Sequence, residues 1–171
     1  MRFLKTSSLY SLNKSTFINL RWIAYIGQLV TILFVQFVLK YSFNYVFCIL
    51  VISLGVLTNL YLKIRVKENL LNNTLSTVFL IFDILQLGVL FFFTGGITNP
   101  FIFLIIVPAV FSSQYLTLKS SIILVSLITL ILSILTFFNI DLPLPGEIHF
   151  HVPDYYLYAI PISIIIGLLF L

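Results

Sequence analysis

Apolar residues run in long stretches separated by short polar breaks, and the breaks mark the elements. The first stretch extends from about Leu20 to Leu39 and the second from about Phe43 to Leu62. Polar residues 63–73 follow, with charges at Lys63, Arg65, Lys67 and Glu68. A third stretch covers Leu75 to Phe93, a fourth Pro100 to about Leu116, and a fifth Ser120 to Phe138. Residues 139–154 form a polar, proline-rich loop, and a sixth stretch starts near Tyr155. A membrane-crossing helix needs about 20 mostly apolar residues, which these stretches approach. The fourth is short, and Pro108 is expected to kink it. Because backbone in lipid must satisfy its own hydrogen bonds, the pattern predicts an all-α integral membrane protein, a six-transmembrane-helix bundle over 20–171 preceded by a segment 1–19.

The break between the third and fourth stretches is the most unusual. It reads Thr94-Gly95-Gly96-Ile97-Thr98-Asn99-Pro100-Phe101, with more helix-breaking residues than a tight turn requires. Two glycines open backbone conformations closed to other residues, and Asn-Pro restarts the chain in a new direction. Gly95 and Gly96 are expected to end the third helix in a left-handed cap, with Asn99 or Thr98 capping the fourth and Pro100 in its first turn. Free N–H groups and a positive dipole end would then face a ligand with carbonyl oxygens, and Phe91, Phe92, Phe93, Phe101 and Phe103 could stack on its ring. A lipid-soluble quinone fits that description. The plainer reading is an ordinary helix–helix turn with bystander phenylalanines.

Composition sharpens the class. Of 171 residues, 61% are hydrophobic and 8% charged, and the mean hydropathy is +1.18. Soluble domains average about 25% charged residues, so a water-facing surface cannot be assembled. The single cysteine, Cys48, excludes a disulfide framework and a thiolate metal cluster. The net charge of +4 does not indicate nucleic acid, because the basic residues sit at span ends. Eight of the nine lie on one side (Arg2, Lys5, Lys14, Arg21, Lys63, Arg65, Lys67 and Lys119), with Lys40 alone on the other. The positive-inside rule puts the eight, and the N-terminus, in the cytoplasm, and the octet and the 139–154 loop outside. Residues 1–19 lack the apolar core of a secretory signal. The last residues, Gly167 to Leu171, are still apolar, so the chain is expected to be a piece of a longer protein, truncated in or just after span six.

Few residues could carry chemistry. Asp83 is the acidic residue inside a span, about 12 Å from the basic end by helical rise, with Gln86 on the same face. Gln28 sits at similar depth, while Arg21 and Asn59 lie nearer the basic end, from which the long arginine could reach Asp83. Such a group is either a proton-linked switch or an interhelical clamp. His149 and His151 flank Phe150 and, with Glu147, would share one side of an extended segment. They supply too few ligands for a metal and are read as solvated side chains. The spans contain no histidine, which excludes a haem b subunit. No nucleotide-binding, zinc-protease or nucleophile motif occurs, so the chain has no candidate catalytic centre.

Gly95-Gly96-Ile97-Thr98-Asn99-Pro100-Phe101 matches in full the Gly-Gly-x-x-Asn-Pro-Phe signature of the RegB/PrrB/ActS family of redox-sensing membrane histidine kinases. Leu20-Arg21-Trp22 with Gly27-Gln28, Asn59-Leu60, Asp83 to Leu87, Pro108 and Leu142 to Glu147 also resemble that family. The resemblance implies ubiquinone as the sensed ligand, at Gly95, Gly96, Asn99, Pro100 and Phe101. It also implies a homodimer, and a following kinase portion that uses ATP to phosphorylate a response regulator. No direct contact with nucleic acid is implied for this part. The redox-active cysteine of the family belongs to the cytoplasmic portion and does not correspond to Cys48. Rival readings are a transporter fragment, which would place its site at the membrane midplane between inverted repeats, or a quinone-contacting structural subunit of a respiratory complex.

Overall fold

Asparagine starts each of the first three helices. The computed structural model describes residues 12–138 and 153–171. The Asn13 side chain accepts the Ser15 N–H (2.9 Å) and opens α1, Lys14–Phe37. Asn44 accepts from Phe47 (3.1 Å) and opens α2, Tyr45–Arg65, while Asn72 accepts from Leu75 (2.7 Å) and opens α3, Asn73–Phe93. Each cap satisfies a donor that the first helical turn leaves unpaired. The first helix thus begins before the apolar stretch at Leu20, because its cap lies upstream and its first turn is polar.

The fourth span is built differently from the expectation. A short 3-10 turn, Gly96–Thr98, precedes a second 3-10 segment, Ile102–Ile106, which runs straight into α4, Val107–Tyr115. Pro108 sits in the first turn of α4, where its missing N–H leaves no helical bond unmade. It therefore starts the α-helix rather than kinking one. A 3-10 helix rises about 2.0 Å per residue against about 1.5 Å for an α-helix, which lets a short segment cover more depth. Two helices complete the bundle, α5 over Leu118–Phe137 and α6 over Asp154–Leu169. Helices α1, α2, α3 and α5 are each long and apolar enough to cross a membrane, while Ile102–Tyr115 and Tyr155–Leu169 are shorter apolar segments.

The helices pack as neighbours: α1 on α2, α2 on α3, α3 on α5, and α5 on both α4 and α6. Ile84 of α3 and Leu124, Ile128 and Leu132 of α5 are fully buried along that central seam. Gly88 lets the helices approach, since a Cβ there would lie 2.9 Å from Ile131 Cγ2. Outward residues such as Ile23, Val30, Leu57, Ile122 and Phe137 are exposed and apolar, as a lipid-facing surface requires.

Polar ties close the end that carries the basic residues. Asn73 accepts the Thr117 N–H (2.9 Å) and donates to Ser120 Oγ (2.7 Å), joining the starts of α3 and α5. A two-residue antiparallel ladder pairs β1, Leu12–Asn13, with β2, Leu70–Leu71, in the α2–α3 connection. The Lys14 N–H adds a bond to Asn69 O (3.0 Å), and its ammonium donates to the carbonyls of Lys63 and Val66. The chain before α1 is thereby fastened to the end of α2. Arg2 and Lys5, and the whole 139–152 segment with Glu147, His149 and His151, lie outside the described residues.

Candidate functional site

Two polar groups stand out from the apolar bundle: the octet after α3, and a cluster inside α1, α2 and α3. The octet folds as its glycines demand. Gly95 has φ 112° and Gly96 φ 56°, both in the left-handed region that a side chain would strain. Between them they end α3 and open the Gly96–Thr98 turn.

Asn99 is only 8% exposed and holds the turn together. Its amide donates to Thr94 O (2.9 Å) and Thr94 Oγ1 (2.8 Å), and its Oδ1 accepts the Phe101 N–H (2.8 Å). Thr94 and Thr98 donate their hydroxyls to Leu90 O and Gly95 O, both at 2.7 Å. Backbone bonds run from Thr98 N to Gly95 O, Asn99 N to Gly96 O, Ile102 N to Asn99 O and Leu104 N to Phe101 O. The expected row of free donors at the start of the fourth span is therefore spent inside the turn. Asn99 makes an Asx turn rather than a helix cap. The N–H groups of Gly95, Gly96 and Ile97 make none of these bonds.

The phenylalanines do not form a closed ring around the octet. Phe91 is buried in the core, and Phe93 packs on Phe47 of α2 (4.5 Å between centroids) and edge-on to Phe92 (5.3 Å). Phe101 is 39% exposed beside an exposed Pro100, and Phe103 faces outward as well. An apolar groove of about 200 Å³ lies next to the octet between α3 and α5, lined by Val89, Phe92, Phe93, Ile134 and Leu135 among others. Drug-sized ligand pockets run to roughly 300–1,000 Å³, so this groove suits a single ring. Ile97, Ile102 and Ile105 are buried, and both 3-10 segments touch α6. The octet is thus in contact with the helix that leads to the end of the chain.

The second group centres on Arg21, 4% exposed, and Asp83, 13% exposed. Arg21 Nη2 donates to Asp83 Oδ1 (2.8 Å) and Nε to Oδ2 (3.0 Å), the bidentate geometry that favours this pair. Nη2 also donates to Thr58 Oγ1 (2.8 Å) and Nη1 to Asn59 Oδ1 (3.5 Å). Tyr25 gives its hydroxyl to Asp83 Oδ1 (2.8 Å). The guanidinium also lies 5.0–5.6 Å from the ring centroids of Phe17, Tyr25 and Phe79. Cations at that range are attracted to an aromatic face, and the more so when desolvated. Further along the same faces, Gln86 Nε2 donates to Gln28 Oε1 (2.8 Å), leaving Gln86 Oε1 buried without a partner.

Sequence reasoning anticipated Arg21, Asp83, Asn59, Gln28 and Gln86, because polar residues within spans are few. It missed Tyr25 and Thr58, which look ordinary in a membrane helix. It also missed Gly55, where a Cβ would lie 2.6 Å from Tyr25 Cε1. That glycine makes room for the Tyr25 ring, and a Gly facing an aromatic in the next helix is visible only once the helices are paired.

Comparison with known proteins agrees with this architecture. The model of a PilS-like transmembrane domain family, a six-span unit, matches residues 16–166. Over 157 residues, 91% of the chain, the sequence is 31% identical to the sensor histidine kinase RegB of Cereibacter sphaeroides. The aligned part makes up 34% of that relative, so the chain spans about a third of its length. No solved structure matches. Six apolar segments and the extent of the family match lead to one conclusion: the chain belongs to the PilS-like family of six-span transmembrane domains.

Proposed function

We propose that this domain binds a quinone at the octet and reports the redox state of the membrane quinone pool to a two-component histidine kinase. In this reading the chain lies in a bacterial inner membrane as part of a homodimer, with its basic end and N-terminus in the cytoplasm. The kinase portion, outside this chain, uses ATP and passes phosphate to a cognate response regulator. The observation that carries the reading is the contact of α6 with the octet's Gly96–Thr98 turn and with the Ile102–Ile106 segment that follows it, which joins a shaped turn to the last helix of the chain.

The residues fit a small ring with carbonyls. The Gly95, Gly96 and Ile97 N–H groups are the donors for a carbonyl oxygen. The apolar groove by Phe92 and Phe93 and the exposed face of Phe101 offer surfaces for the ring. Asn99 is a positioning residue that keeps the turn's shape through Thr94 and Phe101. A quinone only accepts hydrogen bonds, whereas a quinol also donates them, so the two forms differ in affinity for two arrangements of the turn. That difference is the most a ligand can contribute to shifting a conformational equilibrium. An altered turn then displaces α6.

Binding of a quinone analogue to the purified domain, comparing wild type with Asn99→Ala and Phe101→Ala, tests the site. Each substitution is expected to weaken binding about tenfold or more, equivalent to roughly 1.4 kcal/mol. Unchanged affinity in both variants removes the octet from the site.

A further inference from the structure

The connection between α2 and α3 leaves a groove of about 550 Å³ at the basic end of the bundle. Arg65 and Lys67 line one side, and Thr74, Leu75 and Val78 of the first turns of α3 line the other. Glu68 is the acidic residue in the lining, so the two cations and one carboxylate leave a net charge of +1. Among the described residues the one ion pair is Arg21–Asp83, so neither Arg65 nor Lys67 is neutralised by a carboxylate. The connection is also held in shape: β1 pairs with β2, and Lys14 spends its ammonium on the carbonyls of Lys63 and Val66.

Below the cations the surface turns apolar. Val78, Leu85 and Val89 are exposed at helical spacing and form a stripe down α3 from the groove into the bilayer. A cationic mouth above an apolar stripe matches one kind of molecule, a phosphodiester headgroup carrying acyl chains. We propose that this groove is a binding site for an acidic glycerophospholipid. The phosphate meets Arg65 and Lys67, the Thr74 hydroxyl supplies a further donor, and an acyl chain lies along Leu75 and Val78. The headgroup contacts at Arg65, Lys67 and Thr74 lie at the opposite end of the bundle from the octet, while Leu85 and Val89, further down the stripe, also line the groove beside Phe92.

Basic residues at a span end also set topology without binding any particular lipid. The test therefore uses two double variants matched in charge. Arg65→Gln/Lys67→Gln removes the groove cations, and Lys63→Gln/Lys119→Gln removes two cations of the same end outside the lining. Native mass spectrometry of the purified chain then measures retention of phosphatidylglycerol and phosphatidylcholine. Each cation near an anionic headgroup is worth about fivefold in affinity, so the groove variant is expected to lose roughly 25-fold for phosphatidylglycerol. The control variant and the phosphatidylcholine affinity should be unaffected, soluble glycerol phosphate should not compete, and Glu68→Gln should tighten binding. Equal loss in both double variants, no loss in the groove variant, or competition by glycerol phosphate would each overturn the proposal.

Discussion

Arg21 and Asp83 place opposite charges inside the membrane region on α1 and α3, with Thr58 and Asn59 of α2 completing the guanidinium's partners. Nearly every polar atom of the group is used, which describes a clamp across three helices more closely than a free titrating site. Removing one member leaves a buried charge without its partner, at a cost of about 3–5 kcal/mol. Asp83→Asn is therefore expected to lower the thermal stability of the purified domain sharply. The double variant Arg21→Met/Asp83→Leu should recover much of the loss, because it removes both charges. Equal stability of Asp83→Asn and wild type, measured by thermal unfolding in detergent, would contradict the clamp. This cluster was half legible in the sequence. Polar residues within spans announce themselves, but Gly55 and Tyr25 acquire their role only from the contact between α1 and α2.

At the scale of elements, the octet and the fourth span show what local sequence can and cannot convey. The breakers of the octet act on their own backbone, so a left-handed end to α3 was readable from Gly95-Gly96 alone. The use made of Asn99 was not, because its partner could be a ligand, a helix end or, as found, Thr94 behind it. Pro108 was misread for a related reason: composition does not distinguish a 3-10 stretch from an α-helix, and only the latter would be kinked there. A non-glycine residue in the left-handed region costs roughly 1–2 kcal/mol, so Gly95→Ala should loosen the turn by about that amount. Hydrogen exchange is expected to rise at Thr98, Asn99 and Ile102, whose N–H groups bond within the turn, while α1 and α2 stay protected. Unchanged exchange at those three amides would show that the turn does not depend on the glycine.

Across the whole molecule, the six spans were legible because stretch length and helix-breaking segments are properties of the chain itself. Their pairing was not, nor was the β1–β2 ladder that fastens the N-terminal side to the α2–α3 connection. The arrangement on which the proposed function rests is a tertiary one: a turn at one end of the bundle that touches α6. In the proposed mechanism, quinone redox state at the octet moves α6 relative to α3. The most direct measurement is the distance between spin labels on the exposed positions Val78 and Leu169, each replaced by cysteine in a Cys48→Ala background. Pulsed electron–electron resonance on the reconstituted domain should give a distance distribution that shifts between saturating quinone and saturating quinol, and the shift should vanish in Asn99→Ala. Identical distributions with both ligands bound would contradict the claim.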